Sequence, residues 1–140
     1  MKKILFLFFT LVLLGGCTSC PTVVHWNTDA NCAFKEAQQK NKPVLLLITQ
    51  PDCSACENCW YTVFGEEDFV TDVSEFCVPL YKCCPFPFEG ECKKYRALPD
   101  ADKSPSLILL DKEGKHLKTF SYPYGNKEKC LAEIKKAVEK

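Results

Sequence analysis

The pattern of apolar positions along the chain changes between continuous runs and helical spacing. Positions 44–48 and 107–110 are apolar throughout, which predicts two strands buried on both faces of a sheet. At 30–40 and 126–140, apolar residues recur three or four positions apart, which predicts amphipathic helices. Asp29 precedes the first of these helices and can cap its N-terminus. The chain therefore combines buried strands with helices that have one apolar face.

Between these elements the same pattern predicts an alternation of helix and strand. Helices are expected at 57–64, 66–74 and 91–97, and strands at 76–81 and 116–120. Pro79 lies within one of these strands, which places that strand at a sheet edge or a bend. Residues 111–115 are expected to form a hairpin turn. This order of elements predicts an α/β fold, with a mixed β-sheet flanked by helices on both faces.

Residues 1–16 have the composition of a secretory signal peptide. Two lysines precede an apolar stretch at 4–14, which is too short for an ordinary transmembrane helix. The stretch ends in two glycines before Cys17 and there resembles the bacterial lipobox. Cys17 is therefore expected to be the first mature residue and to carry a lipid. The alternative is ordinary signal cleavage nearby, with a plain thiol at Cys17 or Cys20.

The rest of the chain divides into a short tether and one folded domain. Residues 17–28 show little periodicity and are expected to form the tether, and residues 29–140 are long enough for one domain with its own core. Removing residues 1–16 leaves sixteen basic and eighteen acidic residues, a net charge of −2 with histidine neutral. This balance suggests neither nucleic acid nor an anionic membrane surface as a partner.

The clearest chemical motif is the C-x-x-C pair of Cys53 and Cys56. It follows the predicted strand at 44–48 and begins the next helix, which is typical of a dithiol redox site. A helix N-terminus supplies unpaired N–H groups and a partial positive charge, both of which favour a thiolate on Cys53. Cys56 lies one turn further on, within reach of a disulfide bond. The alternatives are a structural disulfide and a metal clip.

Cys59 extends this motif to C-x-x-C-x-x-C, a pattern that also suits metal or iron–sulfur binding. A four-cysteine cluster would need a further ligand near position 63, which is Val63. We therefore interpret Cys59 as a small core residue and expect no metal and no cofactor.

The chain has eleven cysteines, which in an exported protein indicate an oxidising or actively redox-managed compartment. A disulfide from Cys83 or Cys84 to Cys92 would close the loop between them. The alternative for this group is a second exchange site that relays to Cys53. The pairing of the other cysteines stays open at this stage: Cys20, Cys32, Cys59, Cys77, Cys83, Cys84, Cys92 and Cys130.

From about residue 26 to its C-terminus, the chain resembles the thioredoxin-fold proteins. It is most similar to the exported ones, which include the Dsb family of the bacterial envelope and its DsbH-like periplasmic reductases. The motifs that carry the resemblance are Lys42-Pro43-Val44, Cys53-Ser54-Ala55-Cys56, Ser104-Pro105-Ser106-Leu107 and the turn at 111–114.

This resemblance implies a thiol–disulfide oxidoreductase that reduces protein disulfides through Cys53 and Cys56 in the periplasm or cell envelope. It also implies a cis-proline at Pro105 beside the C-x-x-C pair, with the backbone around Ser104 pairing with an extended substrate segment. A DsbD-like membrane carrier is the implied electron donor. The alternative function is a non-catalytic or metal-handling thioredoxin-fold lipoprotein.

Two departures from the thioredoxin pattern bear on the expected chemistry. Cytosolic thioredoxins carry a buried acid six residues before the first active-site cysteine, and that position here is Leu47. Asp52 and Glu57 occupy the positions where thioredoxins place a tryptophan and a lysine. Both acids put negative charge beside Cys53 and disfavour its thiolate. The hypothesis that follows is a reducing Cys53/Cys56 couple.

Overall fold

The computed structural model describes residues 25–140. The elements in chain order are α1 (Ala30–Lys40), β1 (Val44–Thr49), α2 (Ser54–Cys59), a π-helical segment (Trp60–Phe64), α3 (Glu67–Ser74), β2 (Val78–Cys83), α4 (Gly90–Arg96), β3 (Ser106–Leu110), β4 (His116–Phe120) and α5 (Lys127–Val138). The predicted signal peptide, Cys17 and most of the predicted tether lie outside the described residues. Within the described part of the chain, no helix is long and apolar enough to span a membrane.

The four strands form one mixed sheet in the order β2-β1-β3-β4. β1 pairs in parallel with β2 and antiparallel with β3, and β3 pairs antiparallel with β4. The expected mixed sheet is therefore confirmed, and the strand that contains Pro79 lies at its edge. An edge strand suits proline because one of its sides needs no backbone N–H donor.

Helices cover both faces of this sheet. Because side chains alternate along a strand, Leu45 and Leu47 face one side, where they pack in a core cluster with residues of α3, α5 and the π-helical segment. Leu46 and Ile48 face the other side, in a cluster with residues of α1 and α4. All six residues of β1 are buried, as the continuous apolar run predicted. β1 is thus the central element on which both layers pack.

The helix boundaries follow from local capping. The Asp29 side chain accepts a hydrogen bond from the backbone N–H of Cys32 at 3.1 Å, and α1 ends at Asn41, whose φ is 53°. Asn126 caps α5 in the same way, by accepting from the N–H of Lys129 at 3.0 Å. These caps confirm both helices close to their expected limits.

The folded domain begins before Asp29. Trp26 is buried against the core and donates a hydrogen bond from its indole to the carbonyl of Phe64 at 3.1 Å. Asn27 forms an isolated parallel bridge with Leu80 of β2. Two residues of the expected tether, Trp26 and Asn27, thus pack on the sheet.

The helix that carries the C-x-x-C pair also differs from expectation. It starts at Ser54, within the C-x-x-C pair as expected, but after Cys59 it continues as the π-helical segment and not as an α-helix. This segment closes with a hydrogen bond from the N–H of Gly65 to the carbonyl of Trp60 at 2.8 Å. A Cβ atom at Gly65 would lie 2.7 Å from that carbonyl oxygen, so only glycine fits there without a shift.

Candidate redox site

The redox site lies between the end of β1 and the start of α2. Cys53 has extended backbone and caps α2, and its Sγ accepts a hydrogen bond from the N–H of Cys56 at 3.2 Å. The two cysteines form a disulfide, with their Cα atoms 5.2 Å apart. Their accessibility differs, because Cys53 is partly exposed and Cys56 is only 6% exposed. Of the two cysteines, Cys53 is therefore the more accessible.

An open cleft lies beside Cys53, on the β2 side of the site. We call it the redox cleft, and its volume is about 340 Å³. Its lining residues are Thr49, Gln50, Pro51, Asp52, Cys53, Cys56, Glu57, Trp60, Tyr61, Tyr81 and Cys83. Asp52 and Glu57 are exposed, so the two acids expected to flank Cys53 lie at the cleft. Leu47, at the position of the thioredoxin acid, is fully buried in the core.

Ser104 and Pro105 lie at the same end of the sheet as the disulfide. The antiparallel register pairs Ile48 of β1 with Ser106 of β3, so the segment after β1 and the segment before β3 meet at one edge. The Ser104–Pro105 peptide bond is cis. The Pro105 carbonyl accepts a hydrogen bond from the Tyr124 hydroxyl at 3.0 Å. Ser104 and Pro105 therefore lie on the β3 side of β1, and neither of them lines the redox cleft.

Arg96 holds the loop that leads to Pro105, a role that the sequence analysis missed. It is the only arginine of the chain, and it is 8% exposed at the end of α4. One terminal nitrogen, Nη1, donates to the carbonyls of Ala101 at 2.9 Å and Lys103 at 2.6 Å. The other, Nη2, donates to the hydroxyl of Ser104. A planar guanidinium suits this task because it presents several donors in fixed directions.

Burial lowers the pKa of Arg96, while the charge of Asp102 acts to raise it. The Arg96 guanidinium also lies over the ring of Phe88, 5.2 Å from its centroid. The side chain of Ser106 extends the same network, because its hydroxyl donates to the carbonyl of Lys103. The segment before β3 is thus fixed by polar contacts to a buried cation.

Within residues 25–140, the cysteines outside the C-x-x-C pair fall into three groups. Cys84 and Cys92 form the loop-closing disulfide that was one of the two expected pairings, and Cys32 is also disulfide-bonded. Cys83 is a free, exposed thiol that lines the redox cleft. Three buried thiols complete the set: Cys59, Cys77 and Cys130.

The buried thiols have the properties of core residues. Burial raises the pKa of Cys59 from 9.0 to about 11, and those of Cys77 and Cys130 to about 12. They stay protonated near neutral pH and are poor nucleophiles. Cys59 lies in the core, which confirms its interpretation as a core residue. Among residues 25–140, no group of three or more histidine, cysteine or acidic side chains is arranged to hold a metal ion.

The sheet order, the helices on both faces and the C-x-x-C disulfide after the central strand define a thioredoxin fold. Comparison with solved structures supports this assignment of the fold. The chain is similar to DsbH oxidoreductase, with a TM-score of 0.70 and 19% identity over 83% of this chain and 85% of that one.

Two further structures are similar at the level of the fold. The C-terminal domain of Neisseria meningitidis DsbD in the oxidised form has a TM-score of 0.54 and 14% identity, over 81% of this chain and 99% of that one. A thioredoxin from Thermus thermophilus has a TM-score of 0.57 and 12% identity, over 84% and 86%. No protein-family model and no curated protein sequence matches the chain.

Proposed function

We propose that this protein is a thiol–disulfide oxidoreductase that reduces protein disulfides through Cys53 and Cys56. The observation that carries the proposal is the disulfide between these two cysteines at the start of α2, with one sulfur accessible and the other buried. A structural disulfide needs no such asymmetry. An exchange reaction needs one accessible sulfur that attacks the substrate and a second, less accessible sulfur that then resolves the mixed disulfide. The similarity in fold to DsbH, DsbD and thioredoxin supports the same function.

The reaction starts from the reduced dithiol. The Cys53 thiolate attacks one sulfur of the substrate disulfide, so a Cys53–substrate disulfide forms and the other substrate sulfur leaves as a thiolate. Cys56 then loses its proton and attacks the Cys53 sulfur, which releases the second substrate thiolate and forms the Cys53–Cys56 disulfide. Two electrons pass to the substrate. A dithiol donor then reverses this sequence at the same sulfurs and restores the reduced protein.

The charges around the disulfide favour the reducing direction. Asp52 and Glu57 line the redox cleft with Cys53, and their carboxylates repel a thiolate there but have little effect on the uncharged disulfide. This repulsion destabilises the reduced form relative to the oxidised form. A couple whose reduced form is less stable gives up its electrons more readily.

The reduction potential of the Cys53/Cys56 couple tests this proposal. After equilibration in dithiothreitol buffers, alkylation and peptide mapping separate this couple from Cys84–Cys92. We expect reversible two-electron titration with a potential nearer to that of thioredoxin, about −270 mV, than to that of DsbA, about −120 mV. A value close to the latter contradicts the reducing role, and a pair that does not titrate reversibly contradicts the oxidoreductase function.

We also propose that the protein acts in the bacterial periplasm or cell envelope, and that a DsbD-like membrane carrier supplies its electrons. The signal-like residues 1–16 and the lipobox-like end at Cys17 support this location and a lipid anchor on Cys17. Fractionation of cells that express the full chain is the test. The original protein should be found in the membrane fraction, and the Cys17→Ser variant should be found in the soluble fraction. An unchanged distribution of the variant argues against the lipid anchor.

A further inference from the structure

The redox cleft combines negative charge with aromatic surface. Its charged lining residues, from the part of the chain that the structure describes, are Asp52 and Glu57, and no described residue on its wall is a lysine, arginine or histidine. Two aromatic side chains on the same wall are open to solvent: Trp60 is 37% exposed and Tyr61 is 81% exposed. Carboxylates and aromatic faces both attract positive charge, so a wall built from them favours an organic cation.

Packing holds part of this aromatic wall in place. The Trp60 ring lies 5.5 Å from the Tyr81 ring and 6.5 Å from the Trp26 ring, measured between centroids. The Tyr81 hydroxyl is 3.0 Å from the hydroxyl of Thr49, at the end of β1. A ring that is already ordered loses little conformational entropy when a ligand packs against it.

The carboxylates of the cleft remain available to a ligand. Neither Asp52 nor Glu57 forms an ion pair within the described residues. Lys82 is the neighbour of both Tyr81 and Cys83 in sequence, but the alternation along β2 directs it to the opposite face of the sheet. There its Nζ is 2.7 Å from the carboxylate of Glu91. Lys82 therefore does not neutralise the cleft.

We propose that the redox cleft selects disulfide substrates in which a lysine or arginine lies next to the reacting cysteine of an extended peptide segment. This inference rests on the proposed oxidoreductase function and names its substrate class. Because Cys53 lines the cleft together with both carboxylates, a side chain adjacent to the substrate cysteine reaches them while the Cys53–substrate disulfide forms. Opposite charge at that point raises the rate of productive encounter as well as the stability of the mixed disulfide.

The test uses three disulfide-linked peptides that are identical except for one residue beside the cysteine, which is Arg, Gln or Glu. The second-order rate constant of the reduced protein with each peptide is divided by that of 2-mercaptoethanol with the same peptide, which removes differences in leaving-group chemistry. We expect the Arg peptide to react about tenfold faster than the Gln peptide on this scale, and the Glu peptide to react more slowly than both.

The double variant Asp52→Asn with Glu57→Gln should bring the three normalised rates to within about twofold of one another. A change in the nucleophilicity of Cys53 multiplies all three rates by the same factor. The ratio of the rates for two peptides therefore reports only how the protein recognises the residue beside the cysteine. The matched control is Glu75→Gln with Glu113→Gln, which removes the same charge. These exposed acids lie near the opposite end of the sheet, where Val44 pairs with its neighbours, so the control should keep the preference.

The outcomes separate this inference from the function on which it rests. Equal normalised rates for the three peptides overturn the substrate class and leave the oxidoreductase function intact. A preference for Arg that persists in the Asp52→Asn, Glu57→Gln variant overturns its assignment to the redox cleft. No reaction with any of the peptides above the rate of a free thiol contradicts the proposed function itself.

Discussion

Replacing Cys53 with serine is expected to reduce the rate of insulin reduction, with dithiothreitol as the electron donor, to that of the reaction without protein. Cys53 carries the accessible sulfur of the C-x-x-C disulfide, while Cys56 is buried behind it. A serine hydroxyl does not ionise near neutral pH and does not exchange with disulfides, so no step of the reaction can start. The measurement is the rate of insulin precipitation at equal concentrations of protein and variant.

The control for this result is Cys59→Ala. Cys59 is the third cysteine of the C-x-x-C-x-x-C pattern, but it is buried in the core and its raised pKa keeps it protonated. Its replacement should leave the activity of the folded protein close to the original level. If the Cys59→Ala protein is as inactive as Cys53→Ser while its circular dichroism is unchanged, the two-cysteine mechanism is wrong and a three-cysteine site must be considered.

Replacing Arg96 with methionine should lower the free energy of unfolding by about 3 kcal/mol. The guanidinium donates hydrogen bonds to the carbonyls of Ala101 and Lys103 and to the hydroxyl of Ser104. Methionine keeps much of the side-chain length but has no donor, so the carbonyl of Ala101 loses its hydrogen bond beside the core and that of Lys103 keeps only the one from Ser106. Urea unfolding followed by circular dichroism measures the change.

We also propose that the backbone around Ser104 and Pro105 pairs with the substrate, so the same substitution should impair substrate binding by releasing the loop that leads into Pro105. In the folded Arg96→Met protein we expect a higher KM for protein disulfides and a smaller change in kcat.

Lys93→Met is the matched control for the change in stability. Lys93 is exposed on the same helix, so its replacement should change the free energy of unfolding by no more than about 0.5 kcal/mol. Equal stability of the Arg96→Met and Lys93→Met proteins would show that the Arg96 network contributes little.

Local signals in the sequence were sufficient for most elements and for the site cysteines. The apolar run at 44–48 indicated a central buried strand because a residue buried on both faces leaves no polar position in the pattern. Asp29 marked the start of α1 because capping depends on a few neighbouring residues. The C-x-x-C pair was predicted for the same reason, since its two sulfurs are brought together by one helical turn.

Features that depend on contacts between distant residues could not be predicted in this way. Arg96 follows two lysines on a short helix, and nothing in that pattern indicates the acceptors of a loop five to eight residues further on. The burial of Trp26 depends on Phe64 and the α3 layer, which lie far along the chain. A single arginine among many lysines is the one sequence signal that could have drawn attention to this position.

The choice between Cys83 and Cys84 as the partner of Cys92 shows what the register adds. Cys84 is buried in the cluster on the α1 and α4 face, where Cys92 packs. Cys83, one residue earlier, points to the other side and lines the redox cleft. A shift of one residue along a strand exchanges the two faces of the sheet. The sequence alone did not show which face each residue at the end of β2 would point to.

The measurement that tests the central claim most directly is the capture of substrate by a Cys56→Ser variant. Without the Cys56 thiol, the Cys53–substrate disulfide cannot be resolved from within the protein and should accumulate. We expect mass spectrometry of the full chain reacted with a disulfide-containing protein to find the substrate linked through Cys53 alone, and to find no adduct when Cys53 is also serine. Recovery of no adduct, or of adducts through Cys83 instead, would contradict the role assigned to Cys53.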